Sequence, residues 1–204
     1  MISTNESIVT FSIGSYKGSQ RNRLGREGCL AIADAIRSNF CLIQHLSLRG
    51  TSIGSQDLLN LADAMKNYEF LNTLDVAMNR IEGVVGGRAV AMLIARQAQR
   101  QGGSPLTKID LSYNSLGNEG LAVVLQQLAE PDMRLGHLDL THNSIDLILG
   151  EMFETASGTS VVDVDHLVLD GNEFKKGGCY RLANLLGSMT HLLTLSLKDC
   201  MLND

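Results

Sequence analysis

The chain has 204 residues, of which 44% are apolar and 19% charged, enough to build a buried core and too apolar for general disorder. Its formal net charge of -5 argues against attraction of the whole chain to nucleic acid or to an anionic membrane surface, and no apolar run reaches the roughly 20 residues that cross a bilayer. Aromatic residues are only 4% and Trp is absent, so the core must come from many small aliphatic layers rather than from a few large rings.

Read in chain order, one motif returns seven times: IVTFSIGSY from Ile8, IQHLSLRGTSI from Ile43, LNTLDVAMNRI from Leu71, LTKIDLSYNSL from Leu106, LGHLDLTHNSI from Leu135, VDHLVLDGNEF from Val164 and LLTLSLKDCML from Leu192. Apolar residues take the first, fourth, sixth and eleventh places. The period is 28 or 29 residues, except that the first and third copies are followed by the next only after 35. Alternation at places four and six predicts a short strand with both side chains entering a core shared with neighbouring coils. Strands repeated at this spacing are expected to stack in parallel.

Between strands the apolar residues change to helical spacing. The buried stripes are expected at Cys29, Ile32, Ala33 and Ile36 in coil one, at Leu58, Leu61, Ala62 and Met65 in coil two, and at Gly86, Ala89, Val90 and Leu93 in coil three. In coil four the stripe is Leu121, Val124, Leu125 and Leu128, and in coil six Cys179, Leu182, Ala183 and Leu186. Coil five offers only Gly150, Phe153, Glu154 and Ser157, which predicts a short or distorted helix. The third helix is expected to continue from Ile94 to Gln101 and to stop at Gly102-Gly103-Ser104-Pro105.

The ninth place reads Tyr16, Thr51, Asn79, Asn114, Asn143, Asn172 and Cys200. There the chain turns from strand into the interior and leaves backbone groups away from water, which an Asn side chain can satisfy as donor and acceptor. Thr51 and Tyr16 interrupt that ladder, so the first two coils are expected to be the less regular ones.

The motif LxxLxLxxNxL over residues 8 to 204 resembles leucine-rich repeats, and the period with a helix in each coil resembles the ribonuclease-inhibitor-like subtype. The resemblance implies an α/β fold: a right-handed α/β solenoid, or horseshoe, with a parallel sheet on the concave face and helices on the convex face. It implies a protein-binding scaffold without catalysis of its own; relatives include nuclease inhibitors, GTPase-activating proteins, actin regulators and immune-receptor sensing domains. A GTPase-regulating protein is the alternative. The chain is expected to form a single domain of six full repeats, starting near 8, 43, 71, 106, 135 and 164, with a partial seventh from 192. Neither end carries an evident polar cap, so part of a longer protein, or end-to-end self-association, is expected.

Places three, five, seven and eight are expected to face the concave side. They bring Arg49, Asp75, Asp110, Asp139 and Asp170 around Met78, Tyr113 and His142, an aromatic and sulfur anchor ringed by acids that would suit a protein partner with a basic surface. The competing account is that the acids only keep an exposed sheet soluble. Lys17, Arg21, Arg23 and Arg26 make a basic island on an insertion, fit either for an acidic ligand or simply for solvent.

His137, Asp139 and His142 lack a closed ligand set, and the glycines from Gly83 to Gly87 lack the Lys-Ser/Thr of a phosphate loop, so no metal or cofactor is expected. No acid, base and nucleophile constellation is present. Cys29, Cys41, Cys179 and Cys200 are far apart, with no CxxC pair, and MISTNESIVT lacks a basic head and long apolar run. These features, with no nucleic acid or membrane partner expected, favour the cytoplasm.

Overall fold

The computed structural model describes residues 7–15, 22–38, 42–96, 106–147, 161–174 and 176–202. Along the chain run β1 (Thr10–Ser12), α1 (Gly25–Arg37), β2 (His45–Ser47), α2 (Ser55–Ala64), β3 (Thr73–Asp75), α3 (Gly83–Ala95), β4 (Lys108–Asp110), α4 (Gly117–Leu128), β5 (Leu135–Asp139), β6 (Val164–Val168), α5 (Lys176–Gly187) and β7 (Thr194–Ser196). The seven strands form one sheet in sequence order, every neighbouring pair parallel. Parallel pairing requires the chain to return to the same sheet end before each new strand, and the helices supply that return. The fold is an α/β solenoid.

The register follows the motif place by place. Leu46 pairs with Leu74, Leu74 with Ile109, Ile109 with Leu138 and Leu138 with Leu167. The fourth and sixth places of coils two to six are at most 2% exposed, so each coil buries its aliphatics against the coils on both sides. Pairing also runs past the short strands: the sixth N–H donates to the next coil's fifth carbonyl, as Leu111 does to Asp139, and the eighth to the next coil's seventh, as Tyr113 does to Thr141.

The ninth-place asparagines close the core. Asn143 Nδ2 donates to the carbonyls of Leu111 and Thr141 while its Oδ1 accepts the Leu116 N–H, and Asn172 Oδ1 accepts the N–H groups of Asn143 and Ile145. Each Asn thus satisfies backbone groups of its own coil and of the one before. Coil two keeps its register despite Thr51, which is fully buried, donates its hydroxyl to Leu48 O at 2.7 Å, and gives its N–H to Asn79 Oδ1. Cys200 fills the same place in coil seven, its Sγ lying 3.2 Å from Leu169 O. A hydroxyl or thiol therefore meets part of the demand that Asn meets elsewhere. Tyr16 lies outside the described residues.

On the helix side, the expected stripes of α1 to α4 are buried. The glycines of α3 serve packing: a Cβ on Gly87 would overlap the backbone of Gly120 in α4, so only glycine lets the two helices approach this closely. In α5 only Leu182 of the expected stripe is fully buried; Cys179 and Leu186 are half-buried and Ala183 is exposed. No further described helix packs against α5 from the following coil. α3 ends at Ala95, and Arg96 turns its guanidinium into the core edge, donating to the carbonyls of Tyr68 and Leu71 at 2.8 Å each. Its expected continuation beyond Arg96, most of the basic insertion and the weak helix of coil five fall outside the described residues.

Candidate functional site

The helices cover one side of the sheet and leave the other to places three, five, seven and eight. The fifth place brings Asp75, Asp110 and Asp139 into a row, since Asp75 pairs with Asp110 and Asp110 with Asp139 across adjacent strands. All three are half-buried, as is Asp170. Each carboxylate spends Oδ1 on a backbone N–H: Asp75 accepts from Ala77, Asp110 from Ser112, Asp139 from Thr141, and Asp170 from Lys198 one coil on. These bonds fix the acids in place.

The second oxygens differ. Asp75 Oδ2 accepts Arg49 Nε at 2.9 Å and the Ser47 hydroxyl at 3.1 Å, and Asp110 Oδ2 accepts Arg49 Nη2. One guanidinium from coil two thus spans the strands of coils three and four. Arg49 is only 8% exposed. No described residue bonds the second oxygen of Asp139 or of Asp170.

The seventh place is less open than the motif suggests. Arg49, Ala77 and Ser112 are buried there. Thr141 and Asp170 are half-buried, and Lys198 is exposed. Places three, five and eight are therefore the more open ones on this face, with place seven joining from coil five onward.

Place eight carries the most distinctive geometry. Met78, Tyr113, His142 and Asp199 all adopt left-handed backbone, with φ of 55°, 57°, 50° and 54°, and Gly50 and Gly171 occupy the same place in their coils. This conformation costs a residue with a Cβ about 1 kcal/mol or more. The tight exit from the strand imposes it in coils two to seven, yet Met, Tyr and His stand where glycine or asparagine would fit with less strain. Tyr113 is 48% exposed and its ring lies 4.6 Å from that of His142, centroid to centroid, tilted by 37°. A Cβ at Gly171 would overlap the His142 imidazole, so the glycine makes the seat on which that ring rests. Met78 is half-buried.

At place three His137 and His166 are neighbours, 6.1 Å between ring centroids, whereas His45 is set apart and bonds Thr73 Oγ1 at 2.9 Å. Burial, and then the charge of Lys108, hold His137 below the ordinary histidine range; Asp139 and Asp110 pull the other way and His166 adds to the lowering. Among the described residues no group of three His, Cys, Asp or Glu is placed to hold a metal ion. Burial, helped by Asp57, pushes the Cys29 thiol up to about 12, so it stays protonated in the core, and burial raises Cys200 in the same direction.

Seven in-register coils define the class as a repeat solenoid with one open sheet face. Residues 104–125 match the family model described as Leucine Rich repeat, which supports a leucine-rich repeat protein and, in general terms, a protein-interaction scaffold. A search of curated proteins gives no match. No helix among the described residues is long and apolar enough to cross a membrane.

The sequence brings Arg49 forward as a surface residue, but the structure places it inside the acid row. What the motif could not reveal is the reach of that side chain across two strands.

Proposed function

We propose that this chain is a single-domain scaffold of the ribonuclease-inhibitor-like subtype that seats a protein partner on its open sheet face, around Met78, Tyr113 and His142, in the cytoplasm. The observation that carries the reading is the exposed Tyr113 ring, held beside His142 on left-handed backbone. A large, two-torsion aromatic is an economical binding anchor because it gives much contact area for little lost side-chain entropy. Its presence where the backbone disfavours it supports a role beyond folding. The helix side supports the subtype, since the described helices run 10 to 13 residues and return the chain in five of the coils.

The test is site-specific photo-crosslinking in cell extract. A benzophenone amino acid placed at Met78 or His142 should capture a protein, and Tyr113→Ala should abolish that capture. The same probe at Val85 or Met92, exposed on the outer helices, should not. Capture only from the helix positions would refute the reading. Turnover of GTP by the captured protein, with and without this chain, decides the GTPase-regulating alternative.

A further inference from the structure

We propose that the place-three row of Lys108, His137 and His166 takes an aspartate or glutamate side chain of the partner, its carboxylate bonded by the histidine ring N–H groups beside the lysine ammonium, and more tightly as the pH falls. The inference rests on the scaffold reading above and adds to it the chemistry of one group that is held.

The three residues stand side by side on adjacent strands of the open face. Lys108 pairs with His137, and His137 with His166, across β4, β5 and β6, and neighbouring strands lie about 4.8 Å apart. The two rings are 6.1 Å apart, centroid to centroid, and among the described residues no hydrogen bond joins them. Elsewhere in the row a histidine is held by a threonine of the next coil: His45 Nδ1 lies 2.9 Å from Thr73 Oγ1, and His166 Nδ1 lies 2.7 Å from Thr194 Oγ1. His137 meets His166 where those two meet threonine, and no described residue bonds either of its ring nitrogens or the Nε2 of His166. Lys108 is exposed and takes part in none of the ion pairs among the described residues. Donors are thus gathered on three adjacent strands without an acceptor, and a carboxylate, with two oxygens, is the side-chain group that supplies one.

The neighbouring place leaves room for it. At place five Asp110 gives Oδ2 to Arg49 and coil six carries Val168, so Asp139 is the one acid of coils four to six whose second oxygen no described residue bonds there. His137 feels charge from every strand around it: Lys108 and Asp110 of β4, Asp139 of β5 and His166 of β6. Burial and then Lys108 hold it below the ordinary histidine range, so near neutral pH its ring is uncharged. A carboxylate laid on the row favours the protonated ring, so binding takes up a proton and strengthens between about pH 7 and about pH 5. The formal charge of -5 belongs to the whole chain; at physiological ionic strength charges beyond about 8 Å are largely screened, and the row sets its own local field.

The experiment uses the full chain and a phage-displayed library of random peptides, selected at about pH 6, where histidine titrates. Selected peptides should be enriched in Asp or Glu, and a synthetic peptide from the selection should bind by calorimetry. Replacing its acidic residue by the matching amide should weaken binding about ten-fold. Lys108→Met in the protein should weaken it about three-fold, as loss of an exposed ion pair does. The wild-type affinity should rise from about pH 7.5 to about pH 5.5, and the rise should vanish when His137→Asn and His166→Asn are combined. The peptide amide arm does not depend on any protein variant folding. Peptides that crosslink to the open face but show no acidic enrichment, or that bind equally well as the amide or at both pH values, overturn this inference and leave the scaffold reading standing. A selection with no binder to the open face, or with peptides that crosslink only to the helix side, overturns both.

Discussion

Two parts of the open sheet face, coils two to four and coils five to six, use aspartates for opposite ends. In the first half Arg49 joins Asp75 and Asp110 into a nearly covered ion cluster, its side chain 10% exposed and theirs 18% and 13%. In the second part no described residue bonds the second oxygen of Asp139, at the same motif place, or of Asp170, at place seven. A run of aspartates at one motif place is therefore not one surface. A single cation, contributed from coil two, converts part of it into a structural clamp and leaves the rest open.

Removing the clamp is the strongest way to test that division. Arg49→Ala leaves two half-buried carboxylates side by side without their cation, and should cost about 2–3 kcal/mol in urea unfolding. Arg49→Lys keeps the charge but cannot donate along two edges, and should cost about 1 kcal/mol. A loss from Arg49→Ala no larger than that from a surface substitution would remove the distinction between the halves. In the open half, Asp139→Ala gives up only the bond to the Thr141 N–H among the described residues, so its stability should change by less than about 1 kcal/mol. If Asp139→Ala unfolded the protein as readily as Arg49→Ala, both halves would be structural.

Much of this was written in the repeat. The strand register, the burial of places four and six and the asparagine ladder follow from spacing alone, because each coil repeats one solution to the same packing problem. The helix stripes of the first four coils were legible for the same reason. Place seven was not. The place-seven carbonyl pairs with the previous coil alike in buried and exposed copies, so exposure there follows the side chains, such as Arg49, whose length outreaches the motif. The partial exposure of the α5 stripe was hidden too, since a stripe shows which face is apolar but not whether a neighbour covers it. The left-handed backbone at place eight had a weak signal in Gly50 and Gly171, which alternate there with Met78, Tyr113 and His142. The stacking of the two rings had none, because it is set by side-chain torsions.

The smallest effect lies where the two halves meet, at His137. Burial and Lys108 lower its pKa in the folded protein, with His166 in the same sense and Asp139 and Asp110 opposing. The folded state then takes up the proton less readily than the unfolded chain, whose histidine titrates near its ordinary value of about 6.5. Below that value the unfolded state binds more protons, so stability falls with falling pH until His137 is protonated in the folded state as well, and then levels off. Lys108→Met removes a repelling charge, so it should raise the His137 pKa in an NMR titration and reduce the loss of stability between about pH 7 and about pH 5. Asp139→Asn removes an attracting charge and should do the reverse. Because Asp139 also belongs to the open half, this pair of variants measures how strongly its charge is felt across the sheet, and a His137 pKa that ignored both would mean that solvent screens the row from its own neighbours.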